Sequence, residues 1–161
     1  MKIGVVSDTH NNLKNVQRIV ELFNAAGVER VIHTGDITQA KTLDVFASLA
    51  MPLYGVYGNN DQERDSLVSA VDRHGFEFRE PPFVLQWHAR SIVVVHDPLD
   101  LAQHFSDDHD LALHGHTHLH RYEQRAEQVI FNPGECAGHL QGFNAIGILD
   151  LADLSVDLLK F

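Results

Sequence analysis

The chain has 161 residues, with 12 Lys and Arg against 22 Asp and Glu for a net charge of −10, and 44% hydrophobic residues. That balance describes an ordinary globular chain able to bury roughly 70% of its unfolded surface, and it argues against disorder. The acidity repels polyanions, so no stable nucleic-acid complex is expected; the longest aliphatic run, Ile92 to Val95, is far too short to span a membrane.

Met1 to Val6 enters a strand pattern at once, without the apolar stretch and cleavage site of a signal peptide. The single cysteine, Cys136, cannot form an internal disulfide. Both features lead to the expectation of a cytoplasmic protein.

The predicted elements follow in chain order. Ile3 to Val6 reads as a buried parallel strand bounded by Ser7-Asp8. Leu13, Val16, Ile19, Val20 and Phe23 recur at helical spacing and stop before Gly27. Val31-Ile32 forms a second short strand, Leu43 to Leu49 a second helix, Leu53 to Tyr57 a third strand, and Gln62 to Val71 a third helix. This alternation predicts βαβ units and a mostly parallel sheet. The second half is richer in strands. Phe83 to Trp87 and Ser91 to Val95 read as a hairpin, followed by a short helix near Leu99 to Phe105 and a strand at Leu111 to Leu113. Tyr122 to Arg125 with Gln128 to Phe131, and Ala145 to Leu149 with Ser155 to Leu159, predict two more hairpins. Two sheets packed face to face, with helices outside, are expected in a single domain spanning 1–161.

The chemistry lies where these apolar runs end. Asp8-Thr9-His10 follows the first, Gly35-Asp36 the second, Gly58-Asn59-Asn60-Asp61 the third, His96-Asp97 a fourth and Gly115-His116-Thr117-His118 a fifth. Carboxyl ends of parallel strands share one edge, so these residues are expected to converge. Carboxylate, amide oxygen and imidazole together suit borderline divalent cations such as manganese, iron, zinc or nickel. The outer residues of Asp8-x-His10 and His116-x-His118 are two apart, which in extended chain would send both to one side. Each motif alone is ordinary: Asp-x-His serves as a helix cap, and Gly-Asp and Gly-Asn-Asn-Asp as turns. Their joint occurrence in this order is what carries weight. Of the remaining histidines, His33 at its strand end is expected either behind the ligands or in the core, His114 and His120 near the ligands, His74, His88, His104 and His109 on the surface, and His139 is a candidate for the cleft.

The ordered set Asp8-x-His10, Gly35-Asp36, Gly58-Asn59-x-Asp61, His96 and Gly115-His116-x-His118, together with Asn132-Pro133-Gly134, resembles the calcineurin-like metallophosphoesterase family, in particular its small single-domain bacterial and archaeal phosphodiesterases. The resemblance implies a four-layer αββα sandwich with two mixed sheets. It implies a first metal held by Asp8, His10, Asp36 and His118 and a second by Asp36, Asn59, His96 and His116, with Asp36 shared. It also implies hydrolysis of a small phosphate ester, a diester before a monoester, by a hydroxide bridging two divalent ions, manganese foremost. Asp36, Asn59, Asn60 and Asp61 are the expected catalytic residues, Asn60 contacting substrate and Asp61 orienting its neighbours. The chain departs from the family pattern at Asn60, where many members have His, at Asp97, where many have Gly, and at Glu135, where Ser is usual. The rival expectation is a non-catalytic, metal-binding scaffold for protein contacts; homo-oligomerisation is left open.

Overall fold

The computed structural model describes residues 1–161. In its first half β1 (Lys2–Val6), α1 (Leu13–Ala26), β2 (Arg30–His33), α2 (Ala40–Phe46), β3 (Leu53–Val56), α3 (Arg64–His74) and β4 (Glu77–Arg79) alternate. The second half holds β5 (Phe83–Trp87) and β6 (Arg90–Val94), then a 3-10 turn at Pro98–Asp100 running into the single-turn α4 (Leu101–His104). It continues with β7 (Leu111–Leu113), β8 (Arg121–Arg125), β9 (Gln128–Asn132), β10 (Ala145–Asp150) and β11 (Ser155–Lys160).

Local chemistry explains the better-defined boundaries. Asn12 caps α1 by accepting the Asn15 backbone N–H, and Gly27 ends it at φ 64°. Val16, Ile19, Val20 and Phe23 form its buried stripe. The β5–β6 hairpin turns through His88 and Ala89, both at positive φ, as a tight two-residue turn requires.

Two mixed sheets result. The first runs β11-β10-β1-β2-β3-β4, with β1 to β4 parallel and β10 antiparallel to β1. The second runs β5-β6-β7-β9-β8, with β6, β7 and β9 parallel. One core lies between α1, α2, α3 and the outer face of the first sheet, built around Phe23, Val31, Leu43, Phe46 and Leu67. A second fills the space between the sheets, with Ile3, Val5, Ile32 and Val56 meeting Leu85, Ile92, Val94, Leu111 and Phe131. A small third cluster joins Val93, Val95, Ala112 and Ile130 to Leu101 of α4. The four-layer αββα order expected from the resemblance is present, with the last helical layer thin. No helix is long and apolar enough to cross a membrane.

Three features differ from the periodicity. The strand β4 was not expected, because Glu77 and Arg79 flank its one apolar residue, Phe78, on an exposed edge. The helix α2 stops at Phe46, and Leu49 belongs to tight turns after it, where its N–H bonds the Phe46 carbonyl. The hairpin of β10 and β11 leaves the strand-rich half and completes the first sheet beside β1.

Two glycines let aromatic rings lie directly on the first sheet. A Cβ at Gly4 would run into the Phe23 ring, and one at Gly147 into the fully buried Phe131 ring. Gly147→Ala is therefore expected to destabilise the fold by about 1–3 kcal/mol through overpacking. A lowered urea midpoint with unchanged denaturant slope is the outcome to look for; an unchanged midpoint would mean that Phe131 has room to move.

Candidate metal centre

The parallel strands β1, β2 and β3 deliver Asp8, His10, Asp36 and Asn59 from the first sheet, and β6 and β7 deliver His96, His116 and His118 from the second. The sheets are tied across the centre by His96, whose Nδ1 donates to the Thr34 carbonyl at 2.9 Å. All seven side chains reach one edge of the sandwich.

They fall into two sets. In the first, His118 Nε2 lies 3.5 Å from Asp8 Oδ1 and 3.5 Å from His10 Nε2, and His10 Nε2 lies 3.7 Å from Asp36 Oδ2. The donor atoms of Asp8, His10, Asp36 and His118 all lie within 4.8 Å of one another. In the second, Asn59 Oδ1 sits 2.9 Å from His96 Nε2 and 3.0 Å from His116 Nδ1, and His96 Nε2 is 3.4 Å from Asp36 Oδ1. The two oxygens of Asp36 thus face different sets.

The backbone that achieves this is not extended. Asp8, His10, Asp36, His116 and His118 all have positive φ, between 46° and 70°. The i, i+2 residues converge because the chain coils through the left-handed region after each strand, not because a strand projects them to one side. Each such residue costs on the order of 1 kcal/mol or more, and non-glycine residues of this kind cluster where surrounding bonds over-determine the conformation. Neighbouring glycines make the space: a Cβ at Gly58 would strike Asp36 Oδ1, and one at Gly115 would strike Ser7 Oγ.

Supporting bonds hold the ligand types in place. Asp61, 1% exposed, accepts backbone N–H groups from Asp36 (2.9 Å), Thr38 (2.6 Å) and Gly58 (2.7 Å), so it fixes main chain and not a ligating side chain. Asn60 donates to Asp36 twice, from its backbone N–H to Oδ1 at 2.9 Å and from Nδ2 to Oδ2 at 2.8 Å. Burial raises the Asp36 carboxyl pKa, but the Asn60 bonds and the His96 and His10 imidazoles outweigh it and leave the pKa below its usual range. A relay runs from Thr34 Oγ1 to Ser7 Oγ at 2.6 Å and on to Asp8 Oδ2.

Charge makes the case for a cation. Asp8, Asp36, Asp61 and Glu135 are each at most 1% exposed, and none is paired with Lys or Arg. Burial raises the Asp8 pKa against the opposing pull of Ser7, His96 and His118. Asp8 Oδ1 is buried without any hydrogen-bond partner. A buried carboxylate oxygen left unpaired is costly, and a divalent cation among oxygen and imidazole donors removes that cost. The residues present therefore fit a metal.

A family model described as the calcineurin-like phosphoesterase superfamily domain matches residues 1–154. The chain belongs to that superfamily. It is a metal-dependent phosphoesterase. Among its relatives, phosphodiesterase MJ0936 of Methanocaldococcus jannaschii is 35% identical over 93% of each chain. Phosphodiesterase YfcE of Escherichia coli K12 is 28% identical over 97% of this chain and 91% of its own. A solved archaeal phosphodiesterase superposes with a TM-score of 0.90 at 32% identity over the whole of both chains. Vps29 of Entamoeba histolytica shares the fold, with a TM-score of 0.71 at 18% identity over 100% of this chain and 99% of its own.

Several groups near the centre had weak sequence signals or none. Ser7 and Thr34 are common strand-end residues, and Glu135 registered only as a departure from a pattern. His139 lies at the cleft, stacked on His118 with centroids 5.4 Å apart and 5.5 Å from the His10 ring. His114 is buried, with Nδ1 donating to the Gly115 carbonyl, whereas His120 packs on Phe131 away from the ligand sets. His74 bonds Asp44 and links α3 to α2.

His33 is a buried platform beneath the centre. Its Nδ1 accepts the Gly35 N–H at 3.1 Å, so the proton is on Nε2, which donates to Thr9 Oγ1 at 2.9 Å. Burial pushes its pKa down to about 3. The unfolded chain takes up this proton below about pH 6.5, whereas the folded chain refuses it until about pH 3. Between those values the unfolded state binds more protons, so stability falls as pH falls, by up to about 1.4 kcal/mol per pH unit, and the term vanishes above neutrality. Urea midpoints of the wild type and His33→Gln from pH 7 to pH 5 should show a slope smaller by about one proton in the variant. Parallel curves would place the His33 pKa near its ordinary value.

Proposed function

We propose that residues 1–161 form one catalytic domain, a phosphodiesterase that uses two divalent cations, manganese foremost and iron, zinc or nickel as alternatives, to hydrolyse a small phosphodiester. The observation that carries this reading is Asp36, whose two oxygens lie against two separate donor sets. Relatives that align over nine-tenths of the chain are named phosphodiesterases, which supports the diester over the monoester. The buried thiol of Cys136, in no disulfide and bonded to the Ala145 carbonyl, has its pKa pushed up to about 12 by burial and is an inert group that suits a reducing, cytoplasmic setting.

In this reading Asp8, His10, Asp36 and His118 would hold the first cation, and Asp36, Asn59, His96 and His116 the second. Once bound, the pair would supply a lowered pKa for water and positive charge opposite the phosphoryl oxygens. The protein keeps the ligands in register. His96 donates an Nδ1–H hydrogen bond to the Thr34 carbonyl, which leaves the Nε2 lone pair facing Asn59 and Asp36. Asn60 steadies Asp36 through two donated hydrogen bonds and, at the exposed mouth, offers an amide but no acidic proton. Diesters with good leaving groups are then the preferred substrates. Asp61 acts at one remove, by pinning the main chain of Asp36, Thr38 and Gly58.

Replacing the shared carboxylate tests the reading. Asp36→Asn should lower manganese-supported turnover of an activated phosphodiester by roughly 100-fold or more and reduce bound manganese, with the circular dichroism of the fold preserved. Normal turnover in that variant would remove Asp36 from the shared position. Wild-type protein that loads metal yet hydrolyses neither diesters nor monoesters would favour the scaffold instead.

A further inference from the structure

Glu135 lies in the loop between β9 and β10 with no exposed surface, and it has no Lys or Arg partner. A carboxylate in that position must be satisfied by hydrogen-bond donors. It has three. The Leu140 N–H donates to Oε1 at 2.6 Å, the His139 N–H to Oε2 at 3.3 Å, and Nδ1 of His118 lies 3.2 Å from Oε2. The two main-chain donors fix where the carboxylate sits. The third is the only side chain within hydrogen-bond reach, because the His139 ring nitrogen stands off at 3.7 Å.

An ionised carboxylate only accepts. The ring proton of His118 therefore sits on Nδ1, and the Nε2 lone pair is presented to Asp8 Oδ1 and His10 Nε2, each 3.5 Å away. His118 follows β7 on left-handed backbone, φ 58°, and the flat face of His139 covers its ring without bonding it. Nothing else donates to or accepts from His118 Nδ1.

We propose that Glu135 is a positioning residue for the first cation: it locks His118 in the Nδ1–H form, sets the rotation of the ring and, through its charge, makes Nε2 a stronger donor. This rests on the dinuclear reading above. The same three side chains, His118, Glu135 and His139, also approach one another closely enough to suggest a cation of their own. That arrangement would require both nitrogens of His118 to bind metal and would compete with the two amides already on Glu135, so the orienting role is favoured.

Two measurements test it. Metal-free wild type, Glu135→Gln and Asp8→Asn are titrated with cobalt(II) by calorimetry and visible absorption. Wild type should bind two ions, and the step that Asp8→Asn removes should weaken by about 10–100-fold in Glu135→Gln while the other step keeps its affinity. Unchanged affinity for both ions in Glu135→Gln overturns the proposal, as does a third ion in the wild type that Glu135→Gln abolishes. Fewer than two ions in the wild type overturns the dinuclear reading instead, and the second measurement still decides the role of Glu135. Nitrogen-15 spectra of metal-free wild type, well above the imidazole pKa, should show His118 protonated at Nδ1 and bare at Nε2. A proton on Nε2 overturns the proposal even if Glu135→Gln fails to fold.

Discussion

One carboxylate must face two ways, and much of the surrounding structure follows from that demand. Asp36 turns Oδ2 toward His10 and Oδ1 toward His96. It does so from a left-handed backbone, φ 61°, which is an uphill conformation for any residue with a Cβ. Asp61 holds that backbone by accepting N–H groups on both sides of it, and Asn60 holds the carboxylate itself. Gly58 leaves the space Oδ1 occupies. The Gly-Asn-Asn-Asp run after β3 is therefore a fixture for Asp36 as much as a source of the ligand type Asn59.

The same economy of means recurs around the centre. Five of the seven ligand-type residues sit at positive φ, and each lies in a loop fastened by buried hydrogen bonds. The strained loops rest on two well-packed apolar layers, one beneath the helices and one between the sheets. Stability resides in those layers, which leaves the loops free to adopt conformations that would not persist in isolation. The His33 platform couples the two regions. It bonds Thr9 in one ligand loop and Gly35 in another, while its ring packs edge-on to Phe46 of the helical core.

Electrostatics decides what such a place can hold. Four buried carboxylates without a single Lys or Arg partner, one of them with an oxygen bonded to nothing, would be an unreasonable way to build a merely structural edge. The imidazoles around them are arranged with their bare nitrogens inward where the hydrogen bonds allow that to be read: His96 by its bond to Thr34, His118 by its bond to Glu135. A phosphate ester brings only negative charge to this edge, which a cation among the buried carboxylates would counter; Arg64, in the cleft beside Asn59, His96 and His116, is engaged by Glu80.

The sequence by itself determined the alternation of strands and helices in the first half, the hairpins of the second, and the five strand ends at which ligand residue types accumulate. These are local properties: hydrophobic period, turn residues and side-chain chemistry are written within a dozen residues of one another. It was silent on β4, where Glu77 and Arg79 mask the pattern, and on the return of β10 and β11 to the first sheet, because strand pairing is a choice among distant partners. The convergence of Asp8, His10, Asp36 and His118 could be expected from parallel strand ends, but the left-handed coils that accomplish it could not. Nor could the placement of Glu135 behind His118, or of Asn60 on Asp36, since a hydrogen bond between residues 17 or 24 positions apart exists only once the sheets are assembled. Local code chose the chemical groups; packing of the two sheets chose which atoms of those groups face one another.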